Sequence, residues 1–461
     1  MAPKPPVVEL SQVTPDPQRL TDSLAGLQAN FPDGVWVAAG NAYREKAHHK
    51  VRAQWENSQL LGHTELADTI AASIPLHAAD AWIYVGKALN AHITGAPSVA
   101  RHLAYYAELR AAMSILASTG VACLNGPHLA LVDAAGQPHC TYVMHDQPQV
   151  TKASDKNKTP GTHTFAWEGL SWWISSGRHK DAVLNAIRPD GKKLDKWLDA
   201  FETPAVQAKL DDWLRKWGVD LQRFLDDRER RNYSSYEPTG LFPTDHQPPK
   251  AKATDLLMVW EMLEPSAKAR FNTLDRFLLR SLLRWVRVAV LTPDERRTPR
   301  YRARIERMLK RLGYDEPSVR SWRKFLMSKE GEPEILNRAA LNDAPQAAAQ
   351  HVQVICRAAL LARISSGIAQ TAFEDARITP SDVGFWRSQL GQAPGCNGAG
   401  EEPPDGPELW SEVQSGLQAV LDWTVATGRK HGSQADLLRV VAPYLPDLTS
   451  GERVALWGLG L

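Results

Sequence analysis

Pro97-Ser-Val-Ala-Arg-His-Leu-Ala-Tyr-Tyr-Ala-Glu-Leu-Arg-Ala-Ala-Met-Ser-Ile-Leu-Ala117, followed by Ser118-Thr119-Gly120, is the stretch from which the fold is read. Ser98 is placed to cap a helix, because its hydroxyl can accept from a first-turn backbone N–H. Gly120 is placed to end it, because glycine enters the left-handed region at little steric cost. Between them Val99, Leu103, Tyr106, Met113 and Leu116 recur near helical spacing, and Tyr105, Leu109 and Ala112 form a second apolar face. A helix apolar on two faces belongs at the centre of a bundle.

Helical periods recur on both sides of it. Helices are expected at about 39–60, with Tyr43, Val51 and Trp55 inward, and at 77–93, 164–175 and 194–201. Thr203-Pro204 reads as a start signal, a hydroxyl followed by proline at the first helical position. From there Val206, Leu210, Trp213, Leu214, Trp217, Leu221, Phe224 and Leu225 follow a period close to 3.6, ending in the charged run 226–231 and Asn232-Tyr-Ser-Ser-Tyr236-Glu-Pro238. Further helices are expected at about 254–263, 267–291, 299–312, 318–327, 347–368, 408–427 and 434–444, with 394–407 as a loop. The strand signal is confined to 128–144, where two apolar runs flank a Gly136-containing turn, as in a β-hairpin.

The expected fold is therefore mainly α: a multi-helical bundle with an inserted β-hairpin, followed by a second helical domain. The expected boundaries are a flexible tail over 1–22, which holds five prolines in its first 20 residues, and a bundle over 23–245. A linker over 246–254 follows, where Pro248-Pro249 cannot continue a helix, and then a helical domain over 255–461.

Composition agrees with a folded chain. Its 461 residues suggest two to three domains, and 43% hydrophobic with 23% charged residues is ordinary globular usage. No uninterrupted apolar run approaches the roughly 18 residues of a transmembrane helix. The first six residues lack the apolar core of a secretory signal. Cys123, Cys140, Cys356 and Cys396 lie far apart, so a disulfide framework is not expected and a reducing cytoplasm is. No glycine-rich phosphate loop, dinucleotide fingerprint, nucleophile elbow or H-E-x-x-H motif is present, so no cofactor is expected.

Charge is uneven. The net charge is +2, yet 265–325 holds seventeen Lys or Arg against six Asp or Glu, which leaves the remainder at −9. Arg276, Arg280, Arg284 and Arg287 are spaced as one helical stripe, and Arg296, Arg297, Arg300, Arg302, Arg304, Arg307, Lys310 and Arg311 follow, interleaved with Trp285, Tyr301 and Trp322. Such a face suits DNA or RNA phosphates, with aromatic rings to stack on bases. It equally suits a surface paired with the acidic remainder of the chain, or an acidic protein partner.

Arg231-Asn232-Tyr-Ser-Ser-Tyr236, at the end of the 203–225 helix, resembles the active motif of the HEPN superfamily, helical bundles that serve as ribonucleases or RNA-binding units in bacterial conflict and antiviral systems. That motif joins an Arg, often with a polar residue after it, to a His a few residues on. Arg steadies developing phosphate charge and His moves a proton near neutral pH. Here Arg231-Asn232 match the start, but Tyr236 stands where the His would be, and no His follows until His246. A tyrosine, with pKa about 10, is a poor base at neutral pH. His163, ahead of a Trp-rich helix, is the candidate replacement if the bundle brings it to Arg231. The alternative is a helix end whose Arg231, Asn232 and Tyr236 are structural. The leading expectation is a non-hydrolytic helical subunit of a bacterial antiviral defence or nucleic-acid-handling complex, with other protein subunits and no membrane; the resemblance implies the defence context and the charge pattern a polyanion. The further alternatives are a metal-independent ribonuclease using Arg231 and a protein–protein scaffold without nucleic acid.

Three other groups carry weaker chemistry. Arg101, His102, Glu108 and Arg110 lie on the 98–117 helix and form either a buried site or internal ion pairs. Cys123, His128, His139, Cys140 and His145 are zinc-capable, but no C-x-x-C pair is present and no metal is expected. Trp167, Trp172 and Trp173 cannot all face one core from one helix, since adjacent residues diverge by about 100°. At least one ring is expected against the hairpin or a partner chain.

Overall fold

In a computed structural model, residues 8–10, 17–57, 63–125, 128–131, 138–142, 161–202, 210–216, 221–236, 247–266, 269–340, 350–392, 406–427 and 432–460 are described. The first helices are α1 (Pro17–Gly26), α2 (Ala47–Glu56), α3 (His63–Ile93) and α4 (Pro97–Ala117). Beyond a small sheet come α5 (Thr162–Ser175), α6 (His179–Ala186), α7 (Leu194–Phe201), α8 (Leu210–Lys216) and α9 (Leu221–Tyr236). The second half holds α10 (Pro249–Met262), α11 (Asn272–Ala289), α12 (Thr298–Arg311), α13 (Glu316–Leu326), α14 (Glu334–Ala340) and α15 (Gln350–Asp375). It closes with α16 (Gly384–Gln392), α17 (Gly406–Ala426), α18 (Gln434–Val441), α19 (Leu445–Thr449) and α20 (Gly451–Leu459). The fold is mainly α.

The centre is built from α3, α4 and α15, which pack on one another. Alanine makes that possible. Ala78, Ala81 and Ala88 of α3, Ala100, Ala104, Ala107 and Ala111 of α4, and Ala358, Ala359 and Ala362 of α15 are all fully buried. Small side chains let helix axes approach closely, and the larger rings fill the outer layer. The approach is tightest where α20 meets α3: a Cβ on Gly451 would stand 1.7 Å from the Trp82 carbonyl oxygen, and one on Gly86 would stand 2.4 Å from the Gly451 amide nitrogen.

Polar groups buried in this centre tie the two halves of the chain together. Arg357 of α15 pairs with Asp227 of α9 and lies 3.5 Å from Glu108 of α4. Arg363 of α15 makes two bonds to Asp275 of α11, at 2.9 and 2.6 Å, and donates to the Ala186 carbonyl at 2.8 Å. His92 of α3 meets His351 of α15 at 2.8 Å. Buried ions need such partners, because an uncompensated charge in a low-dielectric interior is strongly unfavourable. The burial of Glu108, and then the neighbouring Asp227 charge, push its carboxyl well above the usual range, despite the opposing pull of Arg357.

The 128–144 hairpin is present as β3 (His128–Leu131) antiparallel to β4 (Pro138–Tyr142), with Leu129 opposite Cys140. Two short strands extend it: β2 (Val121–Ala122) pairs antiparallel with β3, and β1 (Val8–Glu9) pairs parallel with β4. The sheet docks on α5 through the His128 imidazole, which stacks on Phe165 at 3.9 Å.

Several boundaries differ from expectation. The expected tail over 1–22 contains β1, a fully buried Leu10 and the first turns of α1, whose Leu20 and Leu24 join the core. The expected linker over 246–254 runs into a helix: Pro248 is the N-cap of α10 and Pro249 its first residue, where a missing N–H costs nothing. The expected division between 23–245 and 255–461 is crossed by the packing of α15 on α3 and α4. Ser98 is not the cap of α4; Ala96 holds that place and Pro97 starts the helix, while Gly120 does take a φ of +87°. Of the expected 203–225 helix, α8 and the start of α9 are seen, and 203–209 and 217–220 lie outside the described residues. As expected, the helical period runs out beyond the charged run: α9 continues through Arg231 and ends at Tyr236. Helix α15 is long and apolar enough to cross a membrane, yet that apolar stretch is wholly buried inside the protein, where it serves as a core helix.

Candidate functional site

Helices α4, α5 and α9 pack against one another and bring together residues some 60 to 130 positions apart in sequence. His102, Tyr105 and Tyr106 share a face of α4, His163, Thr164 and Trp167 face them from α5, and Arg228 and Arg231 lie one turn apart on α9. The Arg231 guanidinium sits 5.2 Å from the Tyr105 ring centre and 5.8 Å from that of Tyr106. The Tyr105 hydroxyl lies 2.9 Å from His163 Nδ1. Arg231 and His163 thus approach the same tyrosine, the convergence that the sequence raised as a condition. His102 packs on Tyr106 with ring centres 5.0 Å apart. Arg228 donates to Thr164 Oγ1 at 2.8 Å.

Hydrogen-bond bookkeeping constrains the protons. Trp167 Nε1, which can only donate, gives its hydrogen to the Tyr105 oxygen at 3.2 Å. That leaves the hydroxyl one further acceptor position and its proton, so it either donates to His163 Nδ1 or accepts from it, according to the imidazole tautomer. A neutral imidazole with an accepting Nδ1 carries its hydrogen on Nε2. His163 is neutral: burial, then the charges of Arg231, Arg228 and His102, lower its pKa to about 4. Burial raises Tyr105 to about 12, so its hydroxyl stays protonated. The cluster presents the Arg231 and Arg228 guanidiniums as donors, joined by an Nε2–H in the tautomer whose Nδ1 accepts from Tyr105, which suits an oxyanion such as a phosphate. Sequence reading missed Tyr105, Tyr106, Arg228 and Glu168. Glu168, on α5, is buried, and that burial raises its carboxyl to about 7 against the opposing charge of Arg228. The one sequence signal for them was the helical spacing of 105 with 102 and 228 with 231.

Asn232 lies beside Arg231 and is half-buried. Tyr236 is the last residue of α9, and its side chain lies outside the described residues.

The basic face divides. The Arg276 guanidinium lies over the Trp322 and Phe325 rings at 4.4 and 4.8 Å, and its burial lowers its pKa. Arg280 is buried and donates to the Gly331 carbonyl at 2.5 Å. Arg284 binds Glu332 at 2.7 Å and the Ser328 carbonyl at 2.6 Å. Arg287 holds the Arg296 carbonyl at 2.7 Å and lies over Tyr301. Arg296 donates to the Leu291 carbonyl at 2.8 Å, and Arg304 to the Phe201 carbonyl at 2.8 Å and to Glu295 at 2.8 Å. These six, expected as phosphate ligands, are occupied in joining α11, α12, α13 and the loops between them. Arg297, Arg300, Lys310 and Arg311 are exposed, each with an acidic neighbour: Asp294 for the first two, Glu316 for Lys310 and Glu202 for Arg311. Arg302 and Arg307 are exposed and have no ion pair among the described residues. Of these twelve candidate cations, the exposed ones therefore lie on and just before α12.

The remaining groups resolve into structure. The Glu108 carboxyl lies 3.5 Å from Arg357 inside the core, and Arg110 sits 3.5 Å from Asp80. Trp167, Trp172 and Trp173 are all buried within the chain, so none of them is exposed to serve the partner surface that the sequence offered beside the hairpin. One helix buries three diverging rings because it is covered on several sides: Trp167 stacks on Phe224 at 4.7 Å, Trp172 lies under Arg178, and Trp173 meets His179 edge-on. Cys123 and His128 are buried, and the side chains of His139, Cys140 and His145 lie outside the described residues. Comparison of the chain with protein-family models, curated proteins and solved structures finds no match.

Proposed function

We propose that this chain is a non-hydrolytic helical subunit of a bacterial antiviral defence or nucleic-acid-handling complex, contacting nucleic acid at two places. One is the Arg231–His163 cluster, where a phosphate accepts hydrogen bonds; the other is the exposed face of α12, led by Arg302 and Arg307. The defence context comes from the resemblance to HEPN proteins. The observation that carries the non-hydrolytic reading is the Tyr105 hydroxyl, which accepts from Trp167 and lies 2.9 Å from His163 Nδ1. In the tautomer that accepts from Tyr105, that bond engages the lone pair a general base would need.

The test measures binding of a fluorescent single-stranded RNA and of the matching DNA over a range of salt. Replacing Arg302 and Arg307 by Gln removes two phosphate contacts, so the slope of log affinity against log salt falls by about 1.4 for a single strand. Arg231→Ala weakens binding and leaves the RNA intact. Unchanged affinity in both variants removes this reading and leaves the protein–protein scaffold.

A ribonuclease is the second reading, favoured by one observation: the Glu168 carboxyl is held at about 7, where it can exchange a proton at neutral pH. Cleavage of RNA in the presence of a chelator, abolished by Arg231→Ala and by Glu168→Gln, would put this reading first.

A further inference from the structure

A cavity of about 530 Å³ opens far from Arg231, between the α6–α7 connection, the start of α11, α15, the start of α17 and the end of α20. That volume falls within the range of small-molecule sites. Three guanidiniums line it, those of Arg188, Arg270 and Arg363, with the carboxylate of Asp275. Two of the three are committed. Arg363 is bonded to Asp275 and the Ala186 carbonyl. Arg188 is bonded to Glu374, the Thr371 hydroxyl and the Asn185 carbonyl. Asp275 is committed as well, because it also accepts the Arg188 backbone N–H at 2.7 Å.

Arg270 differs. Among the described residues its guanidinium makes one hydrogen bond, to the Trp457 carbonyl at 3.2 Å, and no ion pair. It lies in the field of Arg188 and Arg363, and its burial, then those two charges, lower its pKa to about 10. The close fit of the cavity end holds it in place: a Cβ on Gly460 would stand 1.8 Å from Arg270 Nη1. Among the described residues, these three cations face the carboxylates of Asp275 and Glu374, and Glu374 also lies 4.0 Å from Lys193, so positive charge is in excess in a partly enclosed space. Such a field favours an anion, and a planar guanidinium with free N–H groups meets an oxyanion in two-pronged fashion. Pro265, Pro407 and Trp457 give the lining an apolar wall, with Gly406 between the Pro265 and Trp457 side chains.

We propose that this cavity is a binding site for a small organic oxyanion, a phosphate monoester or a carboxylate with an apolar body, whose charged group Arg270 receives and whose body rests on the Pro265–Pro407–Trp457 wall. The site is separate from the nucleic-acid surfaces proposed above, and its occupancy does not depend on them.

The experiment is calorimetric titration of the full chain with phenyl phosphate, inorganic phosphate, benzoate and the neutral benzyl alcohol. Binding of phenyl phosphate or benzoate, with benzyl alcohol silent, supports the proposal. The stronger of the two identifies the head group, and weaker binding of inorganic phosphate shows that the apolar wall contributes. Arg270→Ala lowers the affinity at least about tenfold, the loss expected for a charged hydrogen bond, while Arg270→Lys retains part of it. If none of the anions binds, if benzyl alcohol binds as well as they do, or if a folded Arg270→Ala protein binds undiminished, the proposal is overturned. The wild-type comparison of charged with neutral probe decides the matter even if the Ala variant does not fold.

Discussion

Replacing Arg357 by Met tests whether the centre of the fold rests on its buried charges. Arg357 is 3% exposed, and its guanidinium pairs with Asp227 and lies 3.5 Å from Glu108. Met keeps most of the apolar stem, so the volume lost is small and the change is mainly electrostatic. The burial that raises the Glu108 carboxyl keeps its proton on more tightly than in water, so Asp227 is the carboxylate that loses its counter-charge. Removing one partner of a buried pair costs about 3–5 kcal/mol. That is a large share of the roughly 5–15 kcal/mol by which a domain is stable. Adding Asp227→Asn to Arg357→Met removes the stranded charge, and most of the loss should return. Urea unfolding followed by tryptophan fluorescence suits the measurement, because the chain has 16 tryptophans, most of them buried. A loss below about 1 kcal/mol in Arg357→Met, the level of an exposed pair, would refute the reasoning. So would a double variant no more stable than the single one.

Glu108→Gln should gain stability relative to the native chain as pH rises. A carboxyl with a folded pKa above its unfolded one stabilises the protein below the ordinary Glu range and loses that contribution as pH climbs through the folded value. Urea midpoints of both proteins at about pH 5 and about pH 8 check the sign. The His163 imidazole should titrate near 4 by NMR, because burial and Arg231 disfavour its charged form, and its stabilising contribution is lost as pH falls from the ordinary His value toward 4. Tyr105→Phe should free Nδ1, and if the Tyr105 bond is what restrains catalysis, RNA cleavage appears in that variant; its absence leaves the non-hydrolytic reading standing. Gly451→Ala should destabilise by about 1–3 kcal/mol or more, measured by the same urea unfolding, because its Cβ would meet the Trp82 carbonyl at 1.7 Å, backbone against backbone.

The sequence by itself determined that the protein is mainly helical and where its centre lies. Helix α4 was legible almost to the residue, because apolar side chains on two faces leave a helix no surface to give to water. The hairpin was legible because two alternating runs around a Gly turn have few other uses. Local period says nothing, however, about which distant segment covers a face. Arg276, Arg280, Arg284 and Arg287 have the spacing of an exposed stripe, and only the arrival of Trp322, Phe325, the Gly331 carbonyl and Glu332 from later segments turned the first three inward, while Arg287 stays half-buried on the Arg296 carbonyl. A guanidinium is buried or solvated according to the partners that tertiary packing brings to it, and four Arg at helical spacing are the same four letters in either case. The same holds at Arg231. Its neighbours in the chain suggested a damaged motif, while Tyr105, Trp167 and His163, from two other helices, decide which atoms there donate and which accept.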